Sequence, residues 1–174
     1  MHPLLFEIEL EHGNVRKVLN HLAALADQLD NDRSAVVDHI TLCLEYLHLH
    51  SGVTHHSNED MILQRLQHRK ALTDPLRNVC EDHNTFEEIV QRLITTLRNH
   101  PKSAKLKNDL LGYIERHRRH MQLEEEHLFP AAEEALSSDD WSAVEVEWLQ
   151  QPDPIFGPKR RKRFLSLALA IHSG

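Results

Sequence analysis

At 174 residues the chain is long enough to build its own core as one domain, and a net charge of −7 argues against nucleic acid as its main partner. Five glycines, seven prolines and 5% aromatics favour helices over a sandwich or barrel. Fifteen histidines outnumber glycine and proline together, so histidine is what a function has to explain. No apolar run approaches the roughly 18–20 residues that cross a bilayer, and the first ten residues carry acids where a signal peptide would be apolar. Cys43 and Cys80 are too few for a disulfide framework, which makes a reducing cytoplasm the default location.

The chain reads as four amphipathic helical stretches and a tail. The first is predicted from about Pro3 to Leu29, with Leu5, Ile8, His12, Val15, Leu19 and Leu22 at helical spacing. Asn31-Asp32 marks a turn. The second stretch begins near Arg33 and carries Val37, Ile40, Leu44 and Leu47. Ser51-Gly52 with Val53-Thr54 predicts a break, after which Ser57 and Asp60 read as a capping box that restarts the helix. The third follows Asp74-Pro75, a cap and first-turn pair, and stops at His100-Pro101. The fourth covers about Ser103 to Leu136, with Pro130 predicted to kink its last turns. Short connections imply antiparallel neighbours, hence an all-α, up-down-up-down four-helix bundle over residues 1–136. Residues 137–174 form an extension that packs on the bundle or on a partner subunit. It consists of a helix from Ser138 to Leu149, an extended Gln151–Pro158 and a helix from Lys159 to Ile171.

One pattern occurs twice. His55 is followed four residues later by Glu59 and then Asp60; His120 is followed by Glu124 and then Glu125. An imidazole and a carboxylate four apart on a helix share a face, offering one nitrogen and one oxygen ligand to a single point. The first and third stretches each add a histidine among apolar positions, His12 between Ile8 and Val15 and His83 between Val79 and Phe86. They too resemble each other, Glu11-His12 against Asp82-His83. A lone histidine in such a place is ordinarily a core or boundary residue. Four at matching depths with two paired carboxylates are not independent, and together they read as metal ligands. Two imidazoles per metal and two shared carboxylates suit a dinuclear non-haem iron centre with a solvent-derived oxo or hydroxo bridge. Zinc or manganese fits the same donors.

The remaining candidates read differently. His56, Asp60 and Glu125 are taken as outside the ligand set or solvated, and His117 and His127 as boundary or surface residues. Cys80 and Cys43 are taken as buried thiols. The run Lys159–Arg163 is taken as a solvated face or a partner for acids of the same molecule, with Phe164, Leu165, Leu167, Leu169 and Ile171 docking behind it.

With these motifs in view, the chain resembles the hemerythrin-like proteins of the HHE cation-binding family over about residues 5–136. The residues that carry the likeness are Glu11-His12 with Arg16, His55-His56-x-x-Glu59-Asp60, Asp82-His83 with Phe86-Glu87, and His120-Met-x-x-Glu124-Glu125-x-x-Leu128-Phe129-Pro130. The resemblance implies a left-handed bundle with a di-iron centre held by His12, His55, Glu59, His83, His120 and Glu124, the glutamates bridging. One departure stands out. Oxygen-carrying hemerythrins place two histidines a turn apart on the third helix, whereas Val79 and Glu87 flank His83 here. That tilts the reading from oxygen storage towards redox, nitric oxide or iron handling, unless His56 supplies the missing nitrogen.

The resulting expectation is a cytoplasmic di-iron protein that binds or senses O2, NO or peroxide, more a metal- and small-ligand-binding protein than a dedicated enzyme. Two other functions fit the same residues: a di-iron enzyme for peroxide reduction or iron donation and repair, and a structural bundle stapled by metal. The expected partners are the small ligand and a second copy of the chain through the tail, with no nucleic acid and no membrane.

Overall fold

The structure, a computed structural model, describes residues 1–29, 33–101 and 103–173. Among these residues all regular structure is helical: α1 (Pro3–Ala26), α2 (Arg33–Tyr46), α3 (His56–His68), α4 (Asp74–Asn99), α5 (Ala104–Leu123), α6 (Phe129–Ala135), α7 (Ser138–Glu147) and α8 (Leu165–Ser173). The turn predicted at Asn31-Asp32 lies outside the described residues. No helix among them is long and apolar enough to cross a membrane.

Two predictions are corrected. The break at Ser51-Gly52 is not there: Leu47–His55 is π-helical and joins α2 to α3 in one continuous rod. Ser57 is no cap, since its hydroxyl donates to the Val53 carbonyl at 2.8 Å. A single helical glycine costs only about 1 kcal/mol, and Leu47, Ser51 and His55 are buried along this stretch, which outweighs it. Likewise Glu124–Leu128 is π-helical and joins α5 to α6 just ahead of Pro130. Proline has no N–H to give the carbonyl four residues back, and the chain widens into the π turn ahead of it and continues as helix.

The four rods contact in a ring, α1 against α2 and α5, and α4 against α2 and α5. Their apolar residues form two clusters. One contains Val15, Leu47, Phe86 and Met121; the other contains Ile8, Ile62, Val79 and Leu128. On every rod the two clusters are separated by the histidines and glutamates singled out above. The candidate site is therefore a polar layer between two apolar ones.

The tail lies against these rods. Ser137 and Asp140 form a reciprocal capping box at the start of α7, and Arg69 reaches both, at 2.9 Å to the Ser137 hydroxyl and 2.6 Å to Asp140. The Asn58 amide brackets Leu149, accepting from its N–H at 2.9 Å and donating to its carbonyl at 3.3 Å. Asp153 then turns the chain: its Oδ1 accepts from Ile155 and Phe156 N–H, and a Cβ at Gly157 would collide with its carbonyl. The second tail helix starts at Leu165, later than predicted, after a 3-10 turn at Lys162–Phe164. Arg163 of the basic run makes a two-pronged ion pair with Glu45. Phe164 and Leu167 join the first apolar cluster, while Leu165 and Leu169 face outward.

Phe164 is 1% exposed, so Phe164→Ala should cost about 3–5 kcal/mol in chemical denaturation; an unshifted midpoint would show that the tail adds nothing to the bundle. The Asp140 carboxyl is held down to about 2, chiefly by the Ser137 hydroxyl and N–H, with Arg69 adding to them. A depressed folded-state value stabilises above the unfolded value near 3.9 and is lost as pH falls towards 2. The stability difference between the natural chain and Asp140→Asn should therefore shrink across that interval in pH-dependent melts.

Candidate metal centre

All six predicted ligand side chains meet in the polar layer. His12, His55, Glu59, His120 and Glu124 are buried, and His83 is 6% exposed. The two carboxylates lie between two pairs of imidazoles. Glu59 Oε1 is 3.1 Å from His55 Nε2 and 3.4 Å from His12 Nε2, while its Oε2 is 3.5 Å from His83 Nε2. Glu124 faces the opposite way: Oε1 is 3.0 Å from His120 Nε2 and 3.4 Å from His83 Nε2, and Oε2 is 3.3 Å from His12 Nε2. Each glutamate thus offers one oxygen to the His12–His55 side and the other to the His83–His120 side. The continuous helix through Gly52 and the π turn at Glu124 make this possible, because they keep both His–Glu pairs on inward faces.

Apart from a long His83 Nε2–Glu124 Oε1 contact at 3.4 Å, these atoms converge with few hydrogen bonds among themselves. Among the described residues, His12 Nε2, both Glu59 oxygens, His120 Nε2 and Glu124 Oε2 are buried with no hydrogen-bond partner. Buried polar atoms are nearly always satisfied, and five orphans gathered in one buried layer fit a cation-binding set. Two groups have ligand atoms within 4.8 Å of one another, His12 with His55, Glu59 and Glu124, and His56 with Glu59, His83 and His120. Imidazole and carboxylate donors in this mixture fit iron, zinc or manganese.

The electrostatics carry the same demand for positive charge. Burial and Glu124 push the Glu59 carboxyl up, but His55 and His12 hold it below its ordinary value. Burial likewise opposes Glu124, and His120, His12 and His83 pull it well down. The imidazoles respond in kind: burial pushes His55 down, yet Glu59 and Glu11 raise it to about 9. Against the same penalty Asp60 and the two glutamates raise His83 to about 10. His12 is held well above its ordinary value by Glu124, Glu125 and Glu59, again against burial.

A second set of acids holds the imidazoles from outside. Nδ1 of His55 donates to Glu11 at 2.7 Å, that of His83 to Asp60 at 2.7 Å, and that of His12 to Glu125 at 2.8 Å. Asp82 stands 3.5 Å from His120 Nδ1. An ionised carboxylate only accepts, so Nδ1 donates outward and Nε2 faces inward, where a bound cation would replace the Nε2 proton. The arrangement is cyclic: each rod supplies the acid for the imidazole of the next, and the last supplies the first. Arg16 holds Glu125 at 2.6 and 2.7 Å, and Arg116 holds Asp82 at 2.6 and 2.7 Å.

The family comparison agrees with this geometry: residues 4–132 match the hemerythrin HHE cation binding domain. The chain belongs to the hemerythrin HHE family. No curated protein and no solved structure matches it. An HHE domain binds a metal cation, and the His–Glu cluster of this chain has the donors for it.

Within this HHE domain, the sequence pattern had already marked all four outer acids as neighbours of the ligands: Glu11, Asp60, Asp82 and Glu125. Only the tertiary structure shows that each serves a different rod. His117, read as a boundary or surface residue, is instead buried, with its ring on Phe86 at 4.6 Å and Nδ1 3.2 Å from the Tyr113 hydroxyl. His56 is buried too and stacks on His83 at 4.3 Å. His50 is also buried, 3.4 Å from Asp153. His127 is exposed. Both cysteines are free thiols, Cys43 buried and Cys80 partly so, and neither joins the cluster among the described residues.

Asp60 is 45% exposed, so Asp60→Ala should leave the fold intact while freeing the His83 ring. Metal affinity by chelator competition should fall by roughly 10–100-fold; an unchanged affinity would show that Asp60 does not orient the ligand.

Proposed function

We propose that the cluster holds two iron ions and that the protein binds or senses O2, NO or peroxide at them. His12 and His55 serve one ion, His83 and His120 the other, and Glu59 and Glu124 are shared. The single observation that carries this reading is the split of each glutamate between two imidazole pairs. A site for one cation has no use for two carboxylates facing opposite ways. Iron in such a site supplies one-electron redox chemistry and a position for a small ligand.

The chain's own residues do the rest. Glu11, Asp60 and Glu125 hold the Nδ1 protons, so that ring nitrogens face inward. Arg16 fixes Glu125, and Arg116 fixes Asp82 beside His120. The apolar clusters above and below exclude bulk water, with Phe129 stacked 6.0 Å from His12. The order in which the rods meet the two clusters, alternating from one rod to the next, supports an up-down-up-down bundle. We take this bundle to be left-handed, to span residues 1–136, and to carry 137–174 as an extension packed on it. We place the protein in the cytoplasm, acting as a ligand-binding protein rather than a dedicated enzyme.

The test is metal analysis of protein purified without oxygen, with optical spectra before and after air is admitted. About two irons per chain and new near-ultraviolet bands on oxidation are expected, both lost in Glu59→Ala and Glu124→Ala. Zinc with a silent spectrum, even after iron is offered to the metal-free protein, would overturn the redox reading and leave a structural site.

A further inference from the structure

The basic run Lys159–Arg163 divides in two. Arg163 turns back onto Glu45, as a run that serves acids of its own molecule would. Lys159, Arg160, Arg161 and Lys162 do not. All four are exposed, and among the described residues none of their side chains has an ion pair or a hydrogen bond. The backbone nevertheless holds the run in place, with the Arg161 N–H donating to the Pro154 carbonyl at 3.0 Å. Two acids that the tail reaches are already engaged. Arg163 takes Glu45, and Asp153 accepts from the Tyr46 hydroxyl at 2.9 Å and from the N–H groups of Ile155 and Phe156. Nor do the four charges help the helix that follows. Lys162 opens the 3-10 turn leading into α8, where positive charge opposes the helix dipole.

Helix α8 has two unlike faces. Phe164 just before it, with Leu167 and Ala168, is buried against the bundle, whereas Leu165 is 43% and Leu169 64% exposed. The two leucines are four apart and share the outward face. An apolar face beside a cluster of cations, on an element anchored by its other side, suits a lipid surface. The leucines enter the headgroup layer while the cations meet its anionic groups. A single-stranded nucleic acid would need exposed rings to stack on, and Phe164, the ring that follows the run, is buried.

We propose that Lys159–Lys162 and the outward face of α8 dock the protein peripherally on an anionic phospholipid surface. The expectation of no membrane partner rests on the absence of an apolar run long enough to span a bilayer, and a peripheral contact needs none. The net charge of −7 averages over this patch. The contact lies apart from the metal cluster and does not depend on which metal the cluster holds.

The test is flotation of the full chain with vesicles of phosphatidylcholine alone or with roughly 30% phosphatidylserine. Binding to the anionic vesicles should be at least about tenfold stronger and should weaken as salt rises. Lys159→Gln, Arg160→Gln, Arg161→Gln and Lys162→Gln together keep the Arg163–Glu45 pair and every buried contact. That variant should lose the preference for anionic vesicles and melt no lower than the natural chain. Leu169→Gln keeps the charge and should bind the anionic vesicles roughly fivefold more weakly. Leu169→Trp should shift its emission to the blue on those vesicles, relative to the natural chain, and not on polyglutamate. Equal binding to both vesicle types would overturn the proposal. Capture by polyglutamate without binding to vesicles would also overturn it and assign the patch to an acidic protein. A Leu169→Gln chain that binds as tightly as the natural one would reduce the patch to a general polyanion site and sink the lipid contact.

Discussion

Two carboxylates buried side by side in an apolar core are the constraint on which the rest of this structure depends. Glu59 and Glu124 are fully buried and repel each other, and burial alone would drive both to the neutral form. Four imidazoles around them reverse that outcome. The imidazoles in turn need acids on their far sides, and two of those acids, Glu125 and Asp82, are tied by Arg16 and Arg116. Charge alternates outward from the centre in three steps, and each step makes the one inside it tolerable.

That alternation ties the site to the fold. Because each rod supplies the outer acid for the next rod's imidazole, the polar layer links all four around the ring. Shifting one rod along its axis would break a contact on both sides. The apolar clusters above and below are non-directional; the layer between them specifies register. The two π-helical segments belong to the same design, since one ends at His55 and the other starts at Glu124. An extra residue in a turn re-aims the side chains that follow, and π turns are frequent at functional sites for that reason.

The tail makes a nearly two-fold site unequal. The repeated His-x-x-x-Glu pairs and the matched Glu-His and Asp-His pairs would by themselves produce two equivalent halves. Leu149 to Phe156 lies on one half through Asn58, Tyr46 and His50. A symmetric metal set can thus have different surroundings on its two sides.

Much of this was legible in the residues. The spacing of His55 to Glu59 and of His120 to Glu124 determined that each His–Glu pair shares one face, because four residues on a helix is one turn and a turn brings side chains together. His12 and His83 were legible from apolar neighbours at helical spacing, and Asp74-Pro75 and His100-Pro101 bounded α4 within a residue, since proline acts locally. What failed depended on contacts between distant segments. The break at Gly52 was overruled by burial of Leu47, Ser51 and His55, a stabilisation no local pattern contains. His117 read as a boundary or surface residue, and His56 as solvated or at most an extra nitrogen, because their places are set by Phe86 and His83 on another rod. The pairing of outer acids with imidazoles and the cover over one side join residues 20 or more positions apart in the chain. The sequence by itself determined which atoms were available to hold a cation, whereas only the tertiary packing decided where they point and which side the tail covers, because local spacing sets a helical face and tertiary contact sets what that face meets.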